Sequence, residues 1–242
     1  MIILHGRGST APTFASEFFE SQDSRSRFLP HIFPCMKWVF PSSGALYAET
    51  EKEIMDQWFD MASVRDPGLR EGVQIEGLRE SVRRIREVVR REAEAVGGPG
   101  KVFLGGISQG GAAAVIALLA GGVQIGGFVG VCSWLPLYGH ITSLARKDAA
   151  SVVRGIREVL GLDDIVGDVT SGADVGSVMQ TPVLLQHNAD DEVVPVEHGE
   201  ALRYALGEVG MSVEWCIYED GGHWVNEPSG LDDMVEFIKK LM

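Results

Sequence analysis

The sequence predicts an α/β fold, a mostly parallel sheet with helices on both faces, and three observations support this. Short apolar runs alternate with longer stretches of helical periodicity. Glycine and proline clusters punctuate the junctions. A length of 242 residues with 45% hydrophobic content can bury a sizeable core, so one domain over 1–242 is expected.

In chain order, Ile2 to Leu4 reads as a strand end, Lys37 to Phe40 as a second strand and Lys101 to Leu104 as a third. Gly127 to Cys132, Pro182 to Gln186 and Val213 to Tyr218 continue the series. Between them, Ile75, Leu78, Val82, Ile85 and Val89 recur at intervals of three and four, the apolar stripe of a helix that ends at Gly97-Gly98-Pro99-Gly100. Gln109 to Leu119 opens with Gly and Ala, which would let a helix approach the sheet closely. Glu197 to Val209 and Leu231 to Leu241 are the last two helices, with Pro195 and Pro228 as start signals. From Tyr138 to Gln180 the alternation breaks: a helix around Val152 to Leu160 is followed by an acidic, Gly-rich stretch. This reads as an insertion, either a cap over a site at the carboxyl edge of the sheet or a surface excursion with no role there.

The balance of 21 Lys plus Arg against 34 Asp plus Glu gives a net charge of −13, which repels phosphate backbones and argues against nucleic acid as a partner. The charges from Arg79 to Glu94 interleave with apolar residues and read as a solvated helix face. Cys35, Cys132 and Cys216 lack metal-ligand spacing; the latter two sit in apolar runs and read as buried free thiols. No signal-peptide pattern opens the chain, and no apolar run approaches the ~20 residues that span a bilayer, so a soluble cytoplasmic protein without integral membrane association is expected.

Gly106-Ile107-Ser108-Gln109-Gly110 follows a strand and opens a helix, the context in which a sharp turn presents a serine hydroxyl as nucleophile. Glycines two residues before and after Ser108 relieve the crowding of such a turn. Serine needs a histidine base, and the imidazole needs a carboxylate to fix its tautomer. His223 lies in the loop after the strand Val213 to Tyr218, whereas His198 falls on the first turn of a helix and reads as a structural polar contact. Asp190, Asp191 and Glu192 compete as the acid in the loop after Pro182 to Gln186, and periodicity does not choose between Asp190 and Asp191. The backbone N–H of Gln109 and another from the loop Leu4 to Ser9 would bind an oxyanion. Trp134, Leu135 and Leu137, after a central strand, are candidates for an acyl pocket; Trp58 and Phe59 read as packing.

Together these residues resemble the phospholipase/carboxylesterase family of α/β-hydrolases, which includes the acyl-protein thioesterases. The resemblance rests on Leu4-His5-Gly6-Arg7-Gly8, Phe40-Pro41-Ser42, Trp58-Phe59-Asp60, Gly105 to Gly111, Ser133-Trp134-Leu135-Pro136-Leu137 and the two late loops. It implies the α/β-hydrolase fold. It also implies the triad Ser108, Asp191 and His223, Asp191 being chosen by its place three residues before Val194-Pro195, and oxyanion donors at Arg7 and Gln109. The pattern departs where relatives carry a proline after the acid and this chain has Glu192. The expected activity is hydrolysis of an ester or thioester, on a small molecule or an acylated protein, through an acyl-enzyme, without metal or organic cofactor. The alternatives are a short-chain or aryl esterase and a non-catalytic binding relative.

Overall fold

A computed structural model describes residues 1–145, 148–162 and 176–242. The elements run β1 (Ile2–Leu4), α1 (Ala11–Glu20), α2 (Leu29–Ile32), β2 (Ala45–Ala48), β3 (Glu53–Asp56), α3 (Gln74–Val96), β4 (Phe103–Ile107) and α4 (Gln109–Gly121). They continue with β5 (Gly127–Val131), α5 (Tyr138–Ala145), α6 (Ala149–Val159), β6 (Val183–Asn188), α7 (Val196–Glu208), β7 (Val213–Tyr218) and α8 (Ser229–Leu241). Five strands form a parallel sheet in the order β1-β4-β5-β6-β7, and β2 and β3 pair separately as an antiparallel hairpin.

Strand alternation divides the core in two. Ile2, Leu4, Leu104, Phe128, Val183 and Leu185 face one cluster with α3, α4, α6 and α7, while Ile3, Phe103, Ile107, Val129, Val131 and Leu184 face another with α1, α2 and α8. Helix α4 is apolar all round and buried from Gln109 to Ala120, enclosed by the sheet, α3 and α6. On α3 the expected stripe buries Leu78, Val82 and Ile85, and the solvated side carries the pairs Glu80–Arg83, Glu87–Arg90 and Arg90–Glu94.

Several expectations shift. Lys37 to Phe40 is not a ladder strand: only Val39 bridges to Ile2, through Ile3 N–H to Val39 O at 3.0 Å and Val39 N–H to Met1 O at 2.9 Å. Pro41 follows at once and has no N–H to continue the pairing. The third strand starts later than Lys101, because Pro99–Lys101 coils into a 3-10 turn. Cys132 is buried as expected, but Cys216 is only half-buried because β7 is an edge strand, and Cys35 is exposed. Within the insertion, α5 and α6 pack beside α7 and α4 as part of the helical layer; residues 146–147 and 163–175 lie outside the described residues.

Leu78 is fully buried on the helix that covers α4, so Leu78→Ala is expected to cost about 2–5 kcal/mol in urea unfolding. Arg90→Ala, on the solvated face of the same helix, is expected to leave the urea midpoint nearly unchanged.

Candidate active site

The site grows from the junction of β4 and α4. Ser108 joins them with φ 55° and ψ −129°, a conformation that side chains rarely adopt. Three bonds hold it: Ser108 N–H donates to Val131 O at 2.9 Å, and Ser108 O accepts from Ala112 N–H at 3.0 Å and Ser133 Oγ–H at 2.9 Å. The turn closes only because its flanking residues are glycines. A Cβ on Gly106 would lie 2.5 Å from the Gly110 carbonyl carbon, and one on Gly110 would lie 2.4 Å from the carbonyl oxygens of Leu4 and His5. The N-terminus of α4 therefore abuts the loop leaving β1 and adds the positive end of its dipole there.

That loop is fixed residue by residue. His5 is fully buried: Nδ1–H donates to Gly6 O at 2.8 Å and Nε2 accepts from Ser43 N–H at 3.1 Å, which sets the tautomer. Burial pushes the His5 imidazole pKa down. Trp58 Nε1–H donates to His5 O at 2.8 Å, and Gly8 N–H donates to Asp56 O at 2.7 Å. Arg7 reaches the hairpin with a two-pronged contact on Glu51 at 2.7 Å and a bond from Nε to Gln57 Oε1 at 2.8 Å. The guanidinium holds the Glu51 carboxyl below its usual range. The Gln109 side chain faces away from the cavity: Oε1 accepts from Trp58 N–H and Nε2 donates to Phe59 O, both at 2.8 Å. Trp58 and Phe59 are buried, as packing residues should be.

The pairing of β6 with β7, in register to Asn188 and Tyr218, brings the other two loops together. Asp191 is buried, and its Oδ2 lies 2.7 Å from His223 Nδ1. Its Oδ1 accepts from the N–H groups of Val193 and Val194 at 2.9 Å each. His187, also buried, stands 3.5 Å from Asp191 Oδ2 and donates through Nε2 to Val194 O at 2.8 Å. Burial alone would raise the Asp191 pKa; the neighbouring His187 ring, donation from His223 and the N–H of Val194 outweigh it and hold the carboxyl well below the usual range. Asp190 instead is exposed and accepts from Gly222 N–H at 2.8 Å and Gly221 N–H at 3.3 Å, so it grips the loop backbone and leaves the ring to Asp191. Glu192 is exposed, and its carbonyl accepts from Arg65 at 2.8 Å. His198 pairs with Arg65 O at 2.9 Å, away from the others.

Ser108 and His223 line one cavity of about 310 Å³, with Gly6, Arg7, Gly8, Ser9 and Ile107 beside them. Trp134 lines it. Leu135 and Leu137 do not: they turn into the core, where the chain reverses through positive φ at Cys132 (46°) and Leu137 (58°). The remaining wall, which sequence reasoning missed, is Phe14 and Glu17 of α1, Met55 of the hairpin, Met61, Val64, Val193 and Trp224. Thr10 as N-cap, with Pro12 behind it and Phe14 and Phe18 four apart, was a usable signal for α1. The hairpin carried none, since its turn holds neither Gly nor Asn. None of the described insertion residues lines this cavity. A larger cavity of about 580 Å³ lies between α3 and α4 at the opposite sheet edge; its ionisable lining, Arg86, Arg90 and Glu94, offers no nucleophile.

Cys132, His187 and Asp191 place a sulfur, a nitrogen and an oxygen within 4.8 Å of one another. Those atoms are poor metal ligands, because Asp191 and His187 are engaged as described. Burial, and then the Asp191 charge, push the Cys132 thiol pKa up, away from the thiolate a metal binds.

The parallel sheet with its helical layers and the strained turn between β4 and α4 define an α/β-hydrolase fold. The chain belongs to the phospholipase/carboxylesterase family, whose model matches residues 1–173; a prolyl oligopeptidase family model matches 168–242. Acyl-protein thioesterase 1 of Gibberella zeae is 25% identical over 100% of this chain and 90% of its own. Carboxylesterase SOBER1 of Arabidopsis thaliana is 25% identical over 92% of this chain and 82% of its own. A crystal structure of Arabidopsis thaliana SOBER1 superposes with a TM-score of 0.74 at 22% identity, covering 99% of this chain and 96% of that one. No helix among the described residues is long and apolar enough to cross a membrane.

The lowered proton affinity of Asp191 has a defined sign. The unfolded chain takes up the proton more readily, so this carboxylate's contribution to stability is complete above about pH 4 and declines as pH falls below it. The stability advantage of the wild type over Asp191→Asn should therefore shrink as urea unfolding is repeated at progressively lower pH.

Proposed function

We propose that the protein is a serine esterase or thioesterase that works through an acyl-enzyme, with Ser108, His223 and Asp191 as its triad. The observation that carries this reading is the 2.7 Å bond from buried Asp191 to His223, whose ring opens onto the same cavity as Ser108 on its strained turn. Asp191 accepts the Nδ1 proton, which leaves Nε2 of His223 as the base. His223 takes the Ser108 proton as Oγ bonds to the acyl carbon. It then returns that proton to the departing alcohol or thiol, and activates water to release the acid. The backbone N–H groups of Arg7 and Gln109 receive the oxyanion; the contacts that pin Arg7, Gly8 and Gln109 make those donors rigid before substrate arrives. The acyl group sits against Trp134, Met55, Met61 and Val64. An acylated protein or a small ester would both present this group, the former suggested by the name of the Gibberella zeae relative. The size of the cavity, about 310 Å³, lies at the lower end of ligand pockets and favours short acyl or aryl esters. The three unpaired thiols agree with a reducing cytoplasmic setting.

The wild type should label with a fluorophosphonate probe and hydrolyse nitrophenyl acetate or butyrate, with kcat/KM falling as the acyl chain lengthens. Ser108→Ala should abolish labelling and lower kcat by at least about 10³-fold. A wild type that neither labels nor turns over would rule the assignment out, and a rise with chain length would replace the short-acyl reading.

A further inference from the structure

The geometry points to Asn188 as a positioning residue that holds both partners of Ser108, the histidine loop through its side chain and the acid loop through its backbone. The inference rests on the triad proposed above. Asn188 ends β6 opposite Tyr218, which ends β7, so the acid-bearing and histidine-bearing loops leave the sheet side by side. Its carboxamide is buried, and Nδ2 donates to Gly222 O and Trp224 O, both at 2.7 Å. These are the carbonyls on either side of His223. One planar amide therefore fixes the backbone before and after the imidazole, and leaves the ring free to meet Asp191. The carbonyl of Asn188 meanwhile accepts from Asp191 N–H at 3.2 Å, closing the turn that presents the carboxylate.

Three features make the amide's identity matter. The reverse orientation would set Oδ1 against two carbonyl oxygens, so chemistry allows only the observed one. Oδ1 itself has no hydrogen-bond partner among the described residues. An aliphatic side chain would avoid burying that orphan acceptor, so the use of asparagine lies in its two donor hydrogens. The histidine loop also closes tightly on it: Gly221, at φ +130°, leaves no room for a Cβ, which would lie 2.8 Å from the Asn188 amide. The Cys132 thiol, 3.5 Å from Trp224 O and 3.9 Å from Gly222 O, adds weaker ties to the same two carbonyls, and Asp190 holds Gly222 N–H from the solvent side. The short N–H bonds to both flanks of His223 are Asn188's.

Asn188→Leu, close in size, removes the donors. Below its melting temperature it should lose about 10²-fold in kcat on a short nitrophenyl ester with KM nearly unchanged, the cost of a base displaced by about 1 Å. The low-field proton resonance of the His223–Asp191 hydrogen bond should broaden or vanish. Leu206→Ala, a destabilised core variant of α7, should keep both. The idea is overturned if folded Asn188→Leu keeps wild-type kcat, if the loss appears in KM instead, if the resonance survives, or if Leu206→Ala loses kcat equally. Should Asn188→Leu show no cooperative melt, Asn188→Ser, which retains one donor, is judged by the same two readings. An inactive wild type would defeat the triad assignment alone, because the resonance reports on positioning without turnover.

Discussion

The backbone of Ser108 is the constraint around which the rest is arranged. Holding a non-glycine residue at φ 55° and ψ −129° costs of the order of 1–3 kcal/mol. The cost is met by bonds to Val131, Ala112 and Ser133, and by a packing that only glycines at 106 and 110 permit. Because Gly110 lies against Leu4 and His5, the strain at the serine also decides where the first loop runs. Because α4 must come so close, it opens with Gly and Ala, and it is buried on every side.

Around that junction, each functional side chain stands on a rigid scaffold. Buried His5, Trp58 and the Gln109 side chain tie the loop after β1 to the segment that follows the hairpin. The parallel register of β6 and β7 supplies the other two loops at one edge of the sheet, as expected where open α/β sheets bind ligands. Asp191 is a carboxylate taken out of water and kept ionised by His223, by the backbone N–H groups of Val193 and Val194 and by the nearby His187 ring. Removing the His223 or backbone donors leaves the charge less well paired, so His223 and the Val193-Val194 backbone act together there, while His187 braces the same loop through Val194 O.

The cavity wall is assembled differently. It draws on α1, the β2–β3 hairpin, the segment at Met61 and Val64, and the tryptophans Trp134 and Trp224. These residues come from distant parts of the chain and share no periodicity. On the proposed function, acyl selectivity would follow from how the peripheral elements settle on the sheet, while the residues proposed to attack the acyl carbon depend on the sheet itself.

The sequence by itself determined the alternation of strands and helices, the turn at Ser108 and the order Ser, acid, His, because period, turn chemistry and glycine placement are local properties. The bounds of α4, α7, α8 and β7 followed closely from apolar spacing and the prolines before the last helices. The segment at Lys37 to Phe40 read as a strand from its composition, but strand formation needs a partner along its length and it finds one only at Val39. Periodicity left two adjacent aspartates open and only the resemblance chose Asp191, which the tertiary structure sets against the imidazole; the tertiary structure alone decided that Leu135 and Leu137 serve the core and that Asn188 spans two loops. Each of these turns on the direction of a side chain towards residues tens of positions away, which no local pattern encodes.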